Sequence, residues 1–173
     1  TQAGTPAVGP DGGWRATDPD NGLWPKNLAR VDPTKTYRFA VPVMRLSGTG
    51  PIYFGPNSAG SAAQERVCTL NTSTALVNPY FFSSALPLAN RWYLIEAFVF
   101  PAGSTGVSGT VGGLFDMETG ERVASVTNFC WKAGARNTRT RAFQYYASAG
   151  AVARFAPPTV ELVDGTQIGR AHV

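Results

Sequence analysis

Histidine is almost missing from this chain: 173 residues contain one, His172, next to the last position. Residues 168–173 read as a non-native tail and are set aside from fold reasoning, which leaves no histidine at all. Serine–histidine and cysteine–histidine nucleophile pairs, histidine-ligated zinc and a histidine general base are then unavailable, and with them the commonest designs for catalysis at neutral pH. Cysteine is scarce as well. Cys68 and Cys130 lie far apart with no CxxC motif, so at most one internal disulfide exists. Their apolar surroundings suit two buried thiols on strands, and a bridge stays open if those strands are neighbours in an oxidising compartment.

Charge is also sparse. Charged residues make up 15% of the chain, with three Lys against twelve Arg, a formal net charge of +4 and a pI near 9.3. The cations run from Arg15 to Arg170 with one cluster in the C-terminal third. Nucleic acid would call for a concentrated basic stripe, so no nucleic-acid partner is expected. No apolar run approaches the roughly 20 residues that span a bilayer, and no membrane insertion is expected. Long helical periodicity, internal repeats and coiled-coil heptads are absent too.

What the chain does hold is glycine (19), proline (13) and short β-branched and aromatic runs between Gly, Pro, Asn and Ser. Such spacing predicts an all-β fold, an antiparallel β-sandwich that is jelly-roll-like. At this length one domain buries roughly two-thirds of its unfolded surface. Residues 1–22 read as an extended arm or linker and 23–167 as the sandwich. Within the arm, Asp18, Asp20, Asn21 and Gly22 resemble the start of a calcium loop, but the remaining ligands are missing and Pro19 intervenes, so a turn is expected. No cofactor is called for, while a structural calcium ion stays open.

Strands are expected at 35–46, 52–54, 66–70, 80–82, 92–100, 113–117, 122–126, 129–132, 141–147, 152–155 and 159–163. Pro42 inside the first of these predicts an edge strand or a bulge. Glu118, Thr119 and Gly120 form a hairpin connection in which Gly120 supplies the positive φ. Residues 102–110, rich in Gly, Ser and Thr, read as a flexible loop.

Three segments combine rings with hydrogen-bonding groups: Tyr53 to Asn57; Asn78, Tyr80 and Phe82; and Trp131 with Arg136, Arg139 and Arg141. Sugars offer C–H faces that stack on rings and hydroxyl edges that pair with polar side chains, so these residues are the candidate ligand surface. Core packing is the competing role for each ring. On an extended strand Arg139 and Arg141 project to the same side, where two guanidinium forks could hold a carboxylate or sulfate; pairing with Asp116, Glu118 or Glu121 is the structural alternative. Glu96, an isolated carboxylate in an apolar run, is expected to pair with an arginine such as Arg38 or Arg154. Asp116 and Glu118 could in principle serve glycoside hydrolysis, but they sit at a turn without a second strand-borne acid and read as hairpin charges.

The fragments Thr36-Tyr37-Arg38-Phe39-Ala40-Val41, Ile52-Tyr53-Phe54-Gly55, Asn78-Pro79-Tyr80-Phe81, Leu86-Pro87, Arg91-Trp92-Tyr93-Leu94-Ile95, Gly112-Gly113-Leu114-Phe115-Asp116, Thr119-Gly120-Glu121-Arg122-Val123 and Arg141-Ala142-Phe143-Gln144-Tyr145-Tyr146 come in a telling order. Over residues 23–166 the chain resembles the β-sandwich, carbohydrate-binding-like modules of bacteriophage tail fibres and spikes and of related virus-like particles. Pro42 departs from that pattern, where an aromatic is usual. The resemblance implies a non-catalytic recognition module on a virion surface or another extracellular surface, with a cell-surface glycan as partner, for which an acidic polysaccharide would suit Arg139 and Arg141, and a homotrimer within a parent fibre as its setting. A structural connector of such a fibre is the alternative, and a fragment of a polysaccharide-degrading enzyme the third.

Overall fold

The computed structural model describes residues 29–57, 67–144 and 151–164, and the backbone of strand segments at 7–8, 14–16 and 22–23; of Asn57 too only the backbone is described. All regular elements among them are strands, and no helix is long and apolar enough to cross a membrane. One sheet runs β1 (Ala7–Val8), β2 (Trp14–Ala16), β14 (Val152–Phe155), β5 (Thr36–Ser47), β9 (Trp92–Phe100), β10 (Gly113–Asp116), β11 (Arg122–Ala124). To it are added β15 (Thr159–Val163) on β5, and β12 (Phe129–Trp131) on β9 with β7 (Val67–Thr69) beyond. The smaller sheet runs β3 (Gly22–Leu23), β13 (Asn137–Gln144), β6 (Ile52–Asn57), β8 (Phe82–Ser84), with β4 (Ala29–Arg30) also on β13. The fold is an all-β sandwich of two open sheets. The named pairings are antiparallel except that of β12 with β9.

Period-two alternation makes the layers. In β9, Tyr93, Ile95, Ala97 and Val99 are buried while Trp92, Leu94, Glu96, Phe98 and Phe100 are half-buried, so one side of the strand faces the core. Phe39, Val41 and Val43 of β5 join them from the neighbouring strand. From the smaller sheet Ile52, Phe54, Phe82 and Ala142 face inward. Phe81 joins the layers, with ring centroids 5.1 Å from Phe39, 5.6 Å from Phe54 and 5.3 Å from Phe129. Its backbone is fixed as well, its N–H donating to Phe54 O and its carbonyl accepting from Thr127 N–H, both at 2.8 Å.

Pro42 corrects the expectation of an edge strand or bulge, because β5 is the central strand of the larger sheet. Its carbonyl accepts the Ala156 N–H at 3.0 Å. The N and C=O of one strand residue point to the same flank, so the missing N–H faces the chain between β14 and β15, where β5 has no strand partner. No ladder hydrogen bond is lost. The hairpin is as expected: Gly120 has φ 75° and donates its N–H to Asp116 O at 2.8 Å, and the β10–β11 register shifts after Leu114. Residues 102–110, expected to be flexible, are tied down by two asparagines. Asn71 exchanges two hydrogen bonds with Val107, and buried Asn128 donates to Gly109 O and Val111 O while accepting from Phe98 N–H.

Cys68 and Cys130 oppose each other directly across β7 and β12 as buried free thiols. Glu96 pairs with Arg38, whose Nε lies 2.6 Å from Oε2, and Arg38 also reaches Glu161 at 3.1 Å. The calcium-loop-like stretch from Asp18 and the tail at 168–173 lie outside the described residues, apart from the backbone of Gly22.

Candidate functional site

β13 alternates in side-chain direction, although Arg141 is buried along with Thr140 and Ala142 on either side of it. Thr138, Thr140, Ala142 and Gln144 are buried against the opposite sheet, which turns Arg139, Arg141 and Phe143 to the outer face. The β6 register sets Tyr53 opposite Phe143, Gly55 opposite Arg141 and Asn57 opposite Arg139. Tyr53 and Phe143 therefore stack as a cross-strand pair, centroids 5.3 Å apart and planes 13° from parallel.

Over this pair runs the loop before β8. A Cβ on Gly55 would lie 2.3 Å from Pro79 O and 3.1 Å from Tyr80 Cα, so only glycine lets the Pro79–Tyr80 backbone cross β6 here. That crossing delivers Tyr80 edge-on to Tyr53 at 4.9 Å and to Phe143 at 5.9 Å. It also places Pro79 O 2.9 Å from Arg141 Nη2 and the Tyr80 ring 4.0 Å beneath the guanidinium carbon. Tyr53, Tyr80 and Phe143 are half-buried, Asn78 at the start of the loop is exposed, and Arg139 is half-buried. Rings and cations thus share one outer surface of the smaller sheet, the combination a saccharide needs.

Of the residues expected at a ligand surface, Tyr53, Asn78, Tyr80, Arg139 and Arg141 converge here, with Asn57 brought alongside by register. Three depart. Trp131 is 1% exposed and lies between the sheets, edge-on to Tyr37 at 5.7 Å and tilted against Phe39 at 6.2 Å. Its strand, β12, is buried at all three positions, so both faces of the sheet are covered there and alternation gives it no open side. Phe82 is the inward partner of Phe54 on β8, at 6% exposure. Arg136 precedes β13, five residues and roughly 17 Å of extended chain from Arg141. Its Nη1 donates to Ala133 O and Ala135 O. Phe143 and Gly55 are members of the surface that sequence reasoning missed; Phe143 continues the Arg139, Arg141 alternation and was accessible to it.

The acidic residues considered for hydrolysis are engaged elsewhere. Asp116 Oδ1 accepts the N–H groups of Glu118 and Thr119, and Oδ2 faces Arg91 Nε at 2.6 Å; Arg91 also reaches Glu118 at 3.3 Å. Burial raises the Asp116 pKa, but the two backbone N–H bonds and Arg91 outweigh it and hold the carboxyl below its ordinary 3.8. Among the described residues no group of three or more His, Cys, Asp or Glu is assembled that could hold a metal ion. Comparison with known proteins returns no matching family model, no matching curated protein and no matching solved structure.

Proposed function

We propose that this chain is a non-catalytic surface-recognition module of a larger virion or cell-surface protein, and that it binds host polysaccharide on the outer face of its smaller sheet. The observation that carries the proposal is the cluster of Tyr53, Phe143 and Tyr80 beside Arg141 and Arg139, held by the Gly55 crossing. Rigid rings lose little conformational entropy on binding, and adjacent cations and amides supply orientation. The phage-fibre setting rests on the sequence resemblance. An array of bacterial surface polysaccharides tests the proposal, with wild type retaining specific hits and Tyr80→Ala weakening them by roughly tenfold, or ~1.4 kcal/mol. Equal retention by the variant, or no hit for a folded wild type, speaks against it.

A fibre connector is the second reading, and it has its own observation. The outer face of the larger sheet carries Trp92, Leu94, Phe98, Phe100 and Phe115, all half-buried, with the Phe98 and Phe100 rings stacked at 6.3 Å. Apolar faces of this kind commonly mark association surfaces. Sedimentation velocity decides: a concentration-independent trimer that Phe98→Glu dissociates favours the connector, and a monomer at all concentrations removes it.

A further inference from the structure

Arg141 is a cation with too few partners. The residue is 7% exposed, yet its five N–H donors find one hydrogen-bond acceptor among the described residues, Pro79 O, and its Nε is buried without any. The Tyr80 ring offers quadrupole attraction. No described carboxylate forms an ion pair with it, whereas Arg38 and Arg91 each hold two. Burial accordingly lowers the pKa of its guanidinium, with Tyr80 opposing. Buried charges are ordinarily paired, and a buried donor without a partner marks a place for a water or an ion. The Arg139 side chain rises from the same outer face two residues earlier, and the Asn57 position lies across the ladder from it.

We propose that the outer face of the smaller sheet takes the acid group of a saccharide, a carboxylate or a sulfate ester, on the Arg141 guanidinium, with the sugar ring against Tyr53, Tyr80 and Phe143. The oxyanion supplies the missing charge and accepts two N–H bonds from the planar fork, a geometry that an ammonium group does not reproduce. The saccharide half rests on the polysaccharide reading above; the anion half rests on Arg141 alone.

Four probes separate the two at constant ionic strength: a glucuronate-containing oligosaccharide, the same oligosaccharide with its carboxyl groups reduced to alcohols, a sulfated form of the reduced one, and inorganic sulfate. Affinity is read by calorimetry, and the Arg141 Nε–H resonance of the wild-type protein is followed by NMR, a signal that requires no folded variant. The expected result is an acid form binding about tenfold tighter than the reduced form, a shifted Arg141 Nε–H, and loss of that ratio in Arg141→Lys. Preference for the sulfated over the carboxylated probe assigns the anion as a sulfate ester. Equal affinity of acid and neutral forms with an unmoved Arg141 signal overturns the acid inference and leaves the glycan reading standing. A response to inorganic sulfate without binding of any oligosaccharide keeps the anion site and overturns the saccharide as its source; silence of Arg141 towards all four probes overturns the proposal entirely.

Discussion

Among the described residues Trp131 combines the largest fully buried side chain with an indole N–H that has no hydrogen-bond partner. Truncating it to alanine should cost ~3–5 kcal/mol in urea unfolding, the usual range for a buried ring. Trp131→Phe should cost less, because it keeps most of the packing and removes an orphaned donor. Asp116 gives a pH dependence whose sign follows from its lowered pKa. Its contribution to stability is complete above the unfolded carboxyl value near 3.8 and is lost as pH falls through the lower folded value. Melting temperature followed down through that window should fall more steeply for wild type than for Asp116→Asn, which lacks the titrating group. At this scale the sequence was partly legible. The same-side projection of Arg139 and Arg141, the pairing of Glu96 with Arg38 and the hairpin role of Asp116 could be read from alternation and charge. Whether an aromatic turns inward could not, since Tyr80, Phe81 and Phe82 are consecutive and only Tyr80 stays at the surface.

Elements were more legible than contacts. The bounds of β9, β14 and β15 coincide with those expected from composition and punctuation, whereas β13 begins four residues earlier, at Asn137, and β8 two residues later, at Phe82. Both shifts have a tertiary cause: β4 extends the ladder along β13 to Asn137, and the Gly55 crossing postpones β8 until the chain reaches the edge of β6. Gly55→Ala must push the Pro79 carbonyl aside, and it should destabilise the fold by ~1–3 kcal/mol as an overpacked site does, with chemical-shift changes concentrated at Tyr80 and Arg141. Pro42→Ala, by contrast, should cost at most ~1 kcal/mol, chiefly through the freer unfolded chain. Between β7 and β12, Cys130 Sγ lies 3.5 Å from Thr69 O and from Thr72 O, and burial raises the Cys68 pKa with Cys130 adding to it. Both thiols should therefore resist a maleimide reagent in the native protein and react only on unfolding.

On the scale of the whole molecule, two half-exposed surfaces back a single core. The smaller sheet presents rings with cations; the larger presents rings around the Arg38, Glu96 and Glu161 network. The pairing of β13 with β6 that assembles the first surface joins segments more than eighty residues apart, a proximity that no local pattern encodes. NMR titration of the isotope-labelled protein with polysaccharide from a bacterial host surface tests the assignment of roles most directly. Residues 53–57, 78–80 and 139–143 should shift together and saturate, while the outer face of the larger sheet stays still. Shifts confined to Trp92, Leu94, Phe98 and Phe100, or none anywhere across a range of such polysaccharides, would contradict it.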